Sequence, residues 1–413
     1  MSAPVPTQAT AVTDNERVVV AGAGIAGVRV VRELREAGFA GEIVLAGAER
    51  HLPYDRPPLS KQLLDGRFGP NEVTLTDTAE MEELDVTLLS GRPLNGVDPR
   101  TRRIRRGQEQ IGYDRLIVAT GADPRPLPFP VPPGTRTLRT LDDSLALRNA
   151  LPDIRDLVVI GGGLIAFEIA SVAATAGVCT TVVEALDAPL VRSLGTGLGR
   201  RWGEIAASHG VTIRCPARVT AIKDSGHITG VLLDDGTRLP ADHVVSAIGA
   251  VPAVDWLAGS GLPSDAGGLR ADTTGAIGSD GRIWAVGDVA AWYDPVAGKH
   301  VRREHWTSAV EQARTVARNL TAGAREPLQT VPYFWSDQFG HKIQGFGSRG
   351  DGGTEQVVET PNGQLALFTH GASLTGAVAV DQPRLAARLR RLVRDRQPAS
   401  AALELLPASS AHA

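Results

Sequence analysis

Two stretches of this chain place glycines where a backbone must come close to something bulky and negatively charged. One is Gly22-x-Gly24-x-x-Gly27 and the other Gly161-x-Gly163-x-x-Ala166. In such a pattern the first glycine makes a tight turn, and the second lets backbone N–H groups approach a pyrophosphate. The third position lets the following helix pack closely on the preceding strand. An acidic residue follows each turn about where a ribose hydroxyl contact is expected: Glu49 after the first, Glu184 after the second. The turns lie about 140 residues apart, which implies two dinucleotides held in separate domains. The chemistry that needs both is hydride transfer between a flavin and a nicotinamide, two carriers that a single site cannot hold face to face. Glu184 favours NADH, because a carboxylate accepts from a free ribose 2′-OH and repels a 2′-phosphate. Asp187 adds to that repulsion or is simply a solvated loop carboxylate.

The elements that must position these turns are legible around them. A β-branched run opens at Arg17, a helix-like stretch runs through Val28, Val31 and Leu34, and a strand covers residues 42–46. The second copy starts at Leu157, continues as a helix through Ala173 and ends in a strand at 180–183. Strands are expected at 211–213 and 218–223, and Asp234-Asp235-Gly236-Thr237 signals a hairpin. The chain is expected to rejoin the first domain near Val244. Pro327 opens a third region, with alternating strands at 356–359 and 365–369. Its closing helix, 383–396, sets Leu385, Leu389 and Leu392 under Arg384, Arg388, Arg391 and Arg394.

Bulk properties exclude several roles. With 43 Lys+Arg against 46 Asp+Glu in 413 residues, nothing points to nucleic acid or an anionic membrane as the main partner. No apolar run approaches the roughly 20 residues of a membrane span. Residues 1–16 are polar, lack the apolar core of a signal peptide, and read as a disordered tail on a cytoplasmic protein. The two cysteines, Cys179 and Cys215, are too far apart in sequence for a CxxC pair and offer no metal or iron–sulfur framework, so no metal site is expected. Both are expected to be buried small hydrophobes.

Further motifs lie between and beyond the two units: Pro53-Tyr54-Asp55-Arg56-Pro57-Pro58-Leu59-Ser60-Lys61, Ala119-Thr120-Gly121-Ala122, Leu138-Arg139-Thr140-Leu141, Val286-Gly287-Asp288, Glu304-His305-Trp306 and Tyr333-Phe334-Trp335-Ser336-Asp337-Gln338. In this order they resemble the flavoprotein NADH:ferredoxin reductases of the putidaredoxin-reductase type, within the glutathione-reductase-like group. The likeness runs from about Arg17 to Arg394. It implies an α/β fold with two Rossmann-like dinucleotide-binding domains and a C-terminal α+β interface domain. The expected boundaries are 17–121 with 245–326 for FAD, 122–244 for NAD, and 327–413 for the last domain.

The resemblance implies site residues too. Lys61, paired with Glu168, would sit beside flavin N5, where electron density develops on reduction. Cofactor contacts are expected at Gly22, Gly24, Ala26, Gly27, Ala48, Glu49, Arg56, Lys61, Leu94, Thr120, Gly121 and Arg139. Others are expected at Gly161, Gly163, Leu164, Ile165, Glu184, Gly249, Gly287, Asp288 and Trp306. Trp306 and Trp335 look like rings near the flavin. Residues 56–64 hold no cysteine, where disulfide reductases of the group carry a pair and related peroxidases and oxidases carry one. Electrons are therefore expected to leave from the flavin itself, singly, to a ferredoxin-type iron–sulfur protein serving a cytochrome P450 or a Rieske-type oxygenase. Arg302, Arg303 and Arg314, with the arginines of the last helix, are candidates for its docking rim. The alternatives are a stand-alone flavin oxidoreductase for a small molecule and a nucleotide-sensing protein of the apoptosis-inducing-factor kind. Near-neutral charge argues against the latter. Three positions depart from the pattern, all toward the nicotinamide: Ala166 for glycine, Ala188 for arginine and Ala253 for asparagine.

Overall fold

A computed structural model describes residues 10–350, 352–361 and 363–406. Chain contacts divide it into two compact units. The first comprises residues up to Asp55, Asn71–Asp123 and Ala250–Thr330. The second comprises Arg56–Pro70, Pro124–Gly249 and the chain from Val331 onward.

Unit one grows from the strand Arg17–Ala21, whose Val18, Val19 and Val20 have no solvent contact. Consecutive β-branched residues suit a strand buried on both faces. It pairs in parallel with Glu42–Ala46 on one side and Arg115–Val118 on the other. Val86–Leu89 and Ile283–Ala285 continue the parallel sheet, and Ala276–Ile277 closes one edge antiparallel. The helices Ile25–Glu36 and Trp306–Ala322 share its core. Within the expected tail, residues 1–9 lie outside the described residues, but 10–16 are held. Arg115 donates to the Thr10 carbonyl and pairs with Glu16, and the Val12 N–H bonds the Leu320 carbonyl.

Unit two repeats the plan. Asp156–Ile160 lies in parallel between Cys179–Val183 and His243–Ser246, with Thr212–Arg214 and Arg136–Thr137 outside them. Val244 thus still belongs to this sheet, and unit one resumes only at Ala250. The helix Leu164–Thr175 covers the sheet. The C-terminal strands form an antiparallel sheet in the order Tyr333–Gln338, His341–Gly347, Ser373–Val380, Gly363–His370, Thr354–Thr360. Ile343, Ala366, Phe368 and Val378 of that sheet share one core with Phe167, Ile169 and Val182, so the C-terminal region packs with the second dinucleotide domain. The segment Arg56–Pro70 joins the same unit. Ser144 donates to the Leu59 carbonyl, Arg148 to the Phe68 carbonyl, and Leu64 enters the core.

The closing helix spans Pro383–Arg394, two residues shorter than expected, since Arg396 takes a left-handed φ of 50°. Its buried residues are Ala386, Leu389 and Val393, while Leu385 and Leu392 are half-buried. The apolar stripe is therefore rotated from the leucines.

Glu355 of the C-terminal sheet accepts from the backbone N–H groups of Thr196, Gly197 and Leu198 at 2.8, 2.9 and 3.2 Å. It caps the helix Thr196–Ser208, which no side chain of its own N-cap residue caps. Glu355→Ala is expected to cost about 1–2 kcal/mol, read as a lower urea midpoint, and an unchanged midpoint would refute the cap. A second expectation concerns alkali. Tyr113 is 4% exposed and its hydroxyl has no hydrogen-bond partner among the described residues. Burial first, then the charges of Asp280 and Asp98, push its phenol up to about 12. An unfolded tyrosine ionises near pH 10. The stability Tyr113 contributes is thus intact below about pH 10 and lost as pH rises from there to about 12. Tyr113→Phe should keep the neutral-pH midpoint and soften the fall at about pH 11. Equal falls in the two proteins would show that the phenol is not responsible.

Candidate functional site

In unit one, the predicted residues gather at the carboxyl ends of the parallel strands, where open α/β sheets bind ligands. Two glycines there admit no other residue. A Cβ at Gly22, φ +123°, would lie 2.1 Å from the Ala119 carbonyl oxygen, and one at Gly27 would lie 1.9 Å from that of Gly22. Gly24 differs: a Cβ there would meet no atom within 4 Å. The helix Ile25–Glu36 starts on it without a side-chain cap, leaving first-turn N–H groups and the positive helix end for an anion. These residues fit a dinucleotide pyrophosphate.

Other predicted contacts surround this turn. Ala26 is buried, and a Cβ at Gly287 would lie 3.1 Å from the Ala26 Cβ, so the Gly287-Asp288 turn lies against the helix start. The Gly287 N–H donates to Gln312 at 2.7 Å, and Asp288 is half-buried. Ala48 is exposed beyond the strand Glu42–Ala46, and Glu49, half-buried, accepts from the Tyr54 hydroxyl. Leu94 packs against the unit's core. Thr120 and Gly121 bond the Ala253 carbonyl and N–H at 2.9 and 3.0 Å. Trp306, half-buried, donates its indole N–H to Asp55 at 2.7 Å. Burial pushes the neighbouring His305 below the usual imidazole value, with Asp288 pulling the other way.

In unit two the second turn is built alike but less tightly. Gly161 is required, since a Cβ would lie 2.5 Å from the Ala247 carbonyl oxygen, whereas Ala166 fits with no solvent exposure. Gly163 and Gly249 each border open space, and the helix Leu164–Thr175 begins uncapped by a side chain. Ile165 and Leu186 expose large apolar side chains near it, at 47% and 37%. Glu184 folds back over the turn: its carboxylate accepts from the Gly162 N–H at 2.6 Å and the Leu186 N–H at 2.8 Å. Ala188 is fully buried, so that position is spent on packing. Ala253, the third departure, acts in unit one through its backbone.

Unit two also holds the ion pair. Lys61 follows the turn Pro57–Ser60, which the two prolines stiffen, and its Nζ lies 2.7 Å from a Glu168 carboxylate oxygen. Both are buried. Glu168 also accepts from the Ser60 hydroxyl on that oxygen and from the Ser336 hydroxyl on the other. A buried ion pair persists only when its remaining lone pairs are satisfied, and this one is. Arg56 precedes the turn, half-buried. The Arg139 N–H bonds Asp143 beside the capping box of the helix Leu141–Ala150. Ser60, Ser336 and Gln338 had no assigned role in the sequence reading. For Ser336 and Gln338 the signal of burial, though not of their partner, was phase, because in Phe334-Ser336-Gln338 two polar residues occupy the inward positions of an alternating strand; Ser60 had none.

Two expectations need correction, the burial of both cysteines and a free rim at Arg302 and Arg303. Cys179 is exposed and Cys215 half-buried. Cys179 opens its strand on the outward phase, and burial lifts the Cys215 thiol, with Glu184 and Asp187 adding to it. Arg302 and Arg303 are half-buried braces rather than a free rim. Arg302 bonds the Asp288 and Ala250 carbonyls and pairs with Glu304, and Arg303 pairs with Asp294 at 2.6 Å. Arg314 pairs with Glu33.

Comparison with known proteins fits this geometry. The pyridine nucleotide-disulphide oxidoreductase family matches residues 16–313, and a reductase C-terminal domain matches 333–408. The chain is 34% identical to the ferredoxin–NAD(+) reductase subunit of a benzene 1,2-dioxygenase system from Pseudomonas putida, over 91% of this chain and 92% of that one. Among solved structures, the ferredoxin reductase for the CYP199A2 system of Rhodopseudomonas palustris aligns with TM-score 0.84 and 35% identity, covering 89% and 91% of the two chains. Putidaredoxin reductase in its covalent complex with putidaredoxin aligns with TM-score 0.88 and 30% identity, covering 94% of each. The chain belongs to the pyridine nucleotide-disulphide oxidoreductase family. It is an oxidoreductase whose family implies FAD and a nicotinamide dinucleotide as cofactors.

Neither cysteine lies in the 56–64 loop. The double change Cys179→Ser, Cys215→Ser is expected to leave nicotinamide-driven dye reduction within a few-fold of wild type. Loss of turnover with flavin bound and fold intact would restore a thiol mechanism.

Proposed function

We propose that this protein is a cytoplasmic NADH:ferredoxin reductase that passes electrons to a ferredoxin-type iron–sulfur protein serving a cytochrome P450 or a Rieske-type oxygenase. The observation that carries the reading is the buried ion pair between Glu168 and Lys61, the latter in a loop without cysteine. A fixed cation suits a site where charge develops on a flavin, and the absence of a thiol there leaves no covalent relay. Relatives named for oxygenase systems, aligned over about nine-tenths of both chains, support the partner class. Among the described residues, no helix is long and apolar enough to cross a membrane.

FAD supplies the step from a two-electron hydride donor to one-electron delivery. The protein's part is to bind, orient and stabilise charge. The uncapped helix ends at Gly24 and Gly163 would hold the two pyrophosphates. Asp288 would accept from the ribityl chain, and Glu49 and Glu184 would serve ribose hydroxyls. Glu184 keeps lone pairs for this beyond its two backbone bonds, and its charge disfavours a 2′-phosphate.

Anaerobic stopped-flow should show the bound flavin bleached faster by NADH than by NADPH. A preference for NADPH would sink the role given to Glu184, and no bleaching by either would mean that the nicotinamide site is lost. Lys61→Ala should keep FAD and slow hydride transfer on the order of 10²-fold, as removal of one preorganised charge does elsewhere. An unchanged rate would leave the ion pair a purely structural feature. Reduction of cytochrome c should require an added ferredoxin, whereas ferricyanide should be reduced without one. Cytochrome c reduction that ignores ferredoxin would favour a stand-alone flavin oxidoreductase.

A further inference from the structure

Behind the Lys61–Glu168 pair lies a chain of hydrogen bonds that runs in one direction only. It starts at Trp202, fully buried, whose indole N–H can donate but not accept. That N–H lies 2.7 Å from Gln338 Oε1, which fixes the amide: its oxygen faces Trp202 and its nitrogen faces away. Gln338 Nε2 then donates to Ser336 Oγ at 2.8 Å, and to the Leu164 carbonyl at 3.3 Å. With its acceptor side occupied, the Ser336 hydroxyl turns its proton to Glu168 Oε1. The other carboxylate oxygen receives the Ser60 hydroxyl and the Lys61 ammonium. Ser336, Gln338 and Glu168 are all nearly free of solvent contact, so water cannot replace a lost partner.

Each link of this chain donates toward Glu168, with one further Gln338 amide proton going to the Leu164 carbonyl, and the chain closes without conflict only on a group that accepts at both oxygens. An ionised carboxylate is acceptor-only and satisfies it. We propose that Ser336 and Gln338 are positioning residues that lock the Glu168 carboxylate as the acceptor for Lys61, and so fix where the Lys61 cation sits. The C-terminal strand Tyr333–Gln338 thereby contributes to the redox site without touching the reacting atoms. The inference rests on the reading that Lys61 serves the flavin.

The test uses the full FAD-loaded protein with Ser336→Ala, Ser336→Thr, Gln338→Met and Lys61→Met. Two quantities are read: the midpoint potential of the bound flavin and the rate of hydride transfer at saturating NADH. Lys61→Met should make the potential more negative. Ser336→Ala and Gln338→Met should shift it the same way by less and slow hydride transfer about tenfold, the usual scale for one hydrogen bond to a buried charge. KM for NADH should not change. Ser336→Thr, which keeps the hydroxyl, should restore both quantities, and Ser336→Ala should add nothing in a Lys61→Met background. If Lys61→Met moves the potential while Ser336→Ala and Gln338→Met only lower thermal stability, the chain is structural and this proposal fails alone. If Lys61→Met leaves the potential unmoved, the flavin role of Lys61 falls and this inference falls with it.

Discussion

A carboxylate removed from water must be met by donors, or burying it costs more than the fold can return. At Glu168 that requirement ties together three stretches of chain remote in sequence: the turn Pro57–Ser60 with Lys61, the helix Leu164–Thr175 and the strand Tyr333–Gln338. Much of unit two follows from it. The segment Arg56–Pro70 leaves the Rossmann half in which it is encoded, because its cation and its serine are held by Glu168 and its Leu64 by the same core. The C-terminal sheet is tied in by the same group, and its Glu355, which caps the helix Thr196–Ser208, adds a second polar tether. Removing one donor would leave the buried carboxylate short of a partner.

The two dinucleotide turns obey one rule with different strictness. At Gly27 the backbone oxygen of Gly22 stands where a Cβ would be, so helix and strand touch and only glycine serves. At Ala166 the equivalent approach is wide enough for a methyl group, which is fully buried there. The departure from glycine therefore records spacing, not loss of the turn, since Gly161 and Gly163 keep their roles. Ala253 is similar, because what Thr120 and Gly121 use at that position is its backbone. Ala188 is the departure that removes a charge. With alanine at that position and Glu184 bridging Gly162 and Leu186, the second turn presents backbone N–H groups, one carboxylate and the apolar Ile165 and Leu186.

What could be read from the sequence is what has a local cause. Glycines at fixed spacing after a β-branched run placed both turns, and the strand Glu42–Ala46 has the bounds its pattern predicts. Hidden features had distant causes. The side on which Cys179 falls depends on the phase of its strand, not on the usual habit of cysteine. Arg302 and Arg303 look like a basic rim until Asp288, Glu304 and Asp294 fold against them. Resemblance supplied the Lys61–Glu168 pair, but not the serines that satisfy it. Those come from chain positions 108 residues before and 168 residues after Glu168, a separation no periodicity can reveal.

The 56–64 loop holds a lysine and no cysteine. A thiol at such a place would act by forming and breaking bonds to sulfur, and it would need a partner thiol or a peroxide to turn over. A lysine makes no such bond here. In the role proposed for it, it would act through charge, and only if its position is fixed, because a mobile ammonium would be solvated and its field screened. The prolines that stiffen the approach to Lys61, its burial, and a counter-charge braced from two sides all serve that condition. The same geometry keeps the lysine from becoming an isolated buried charge. The helix, turn and strand around Glu168 can therefore be understood as a device for keeping one cation in one place.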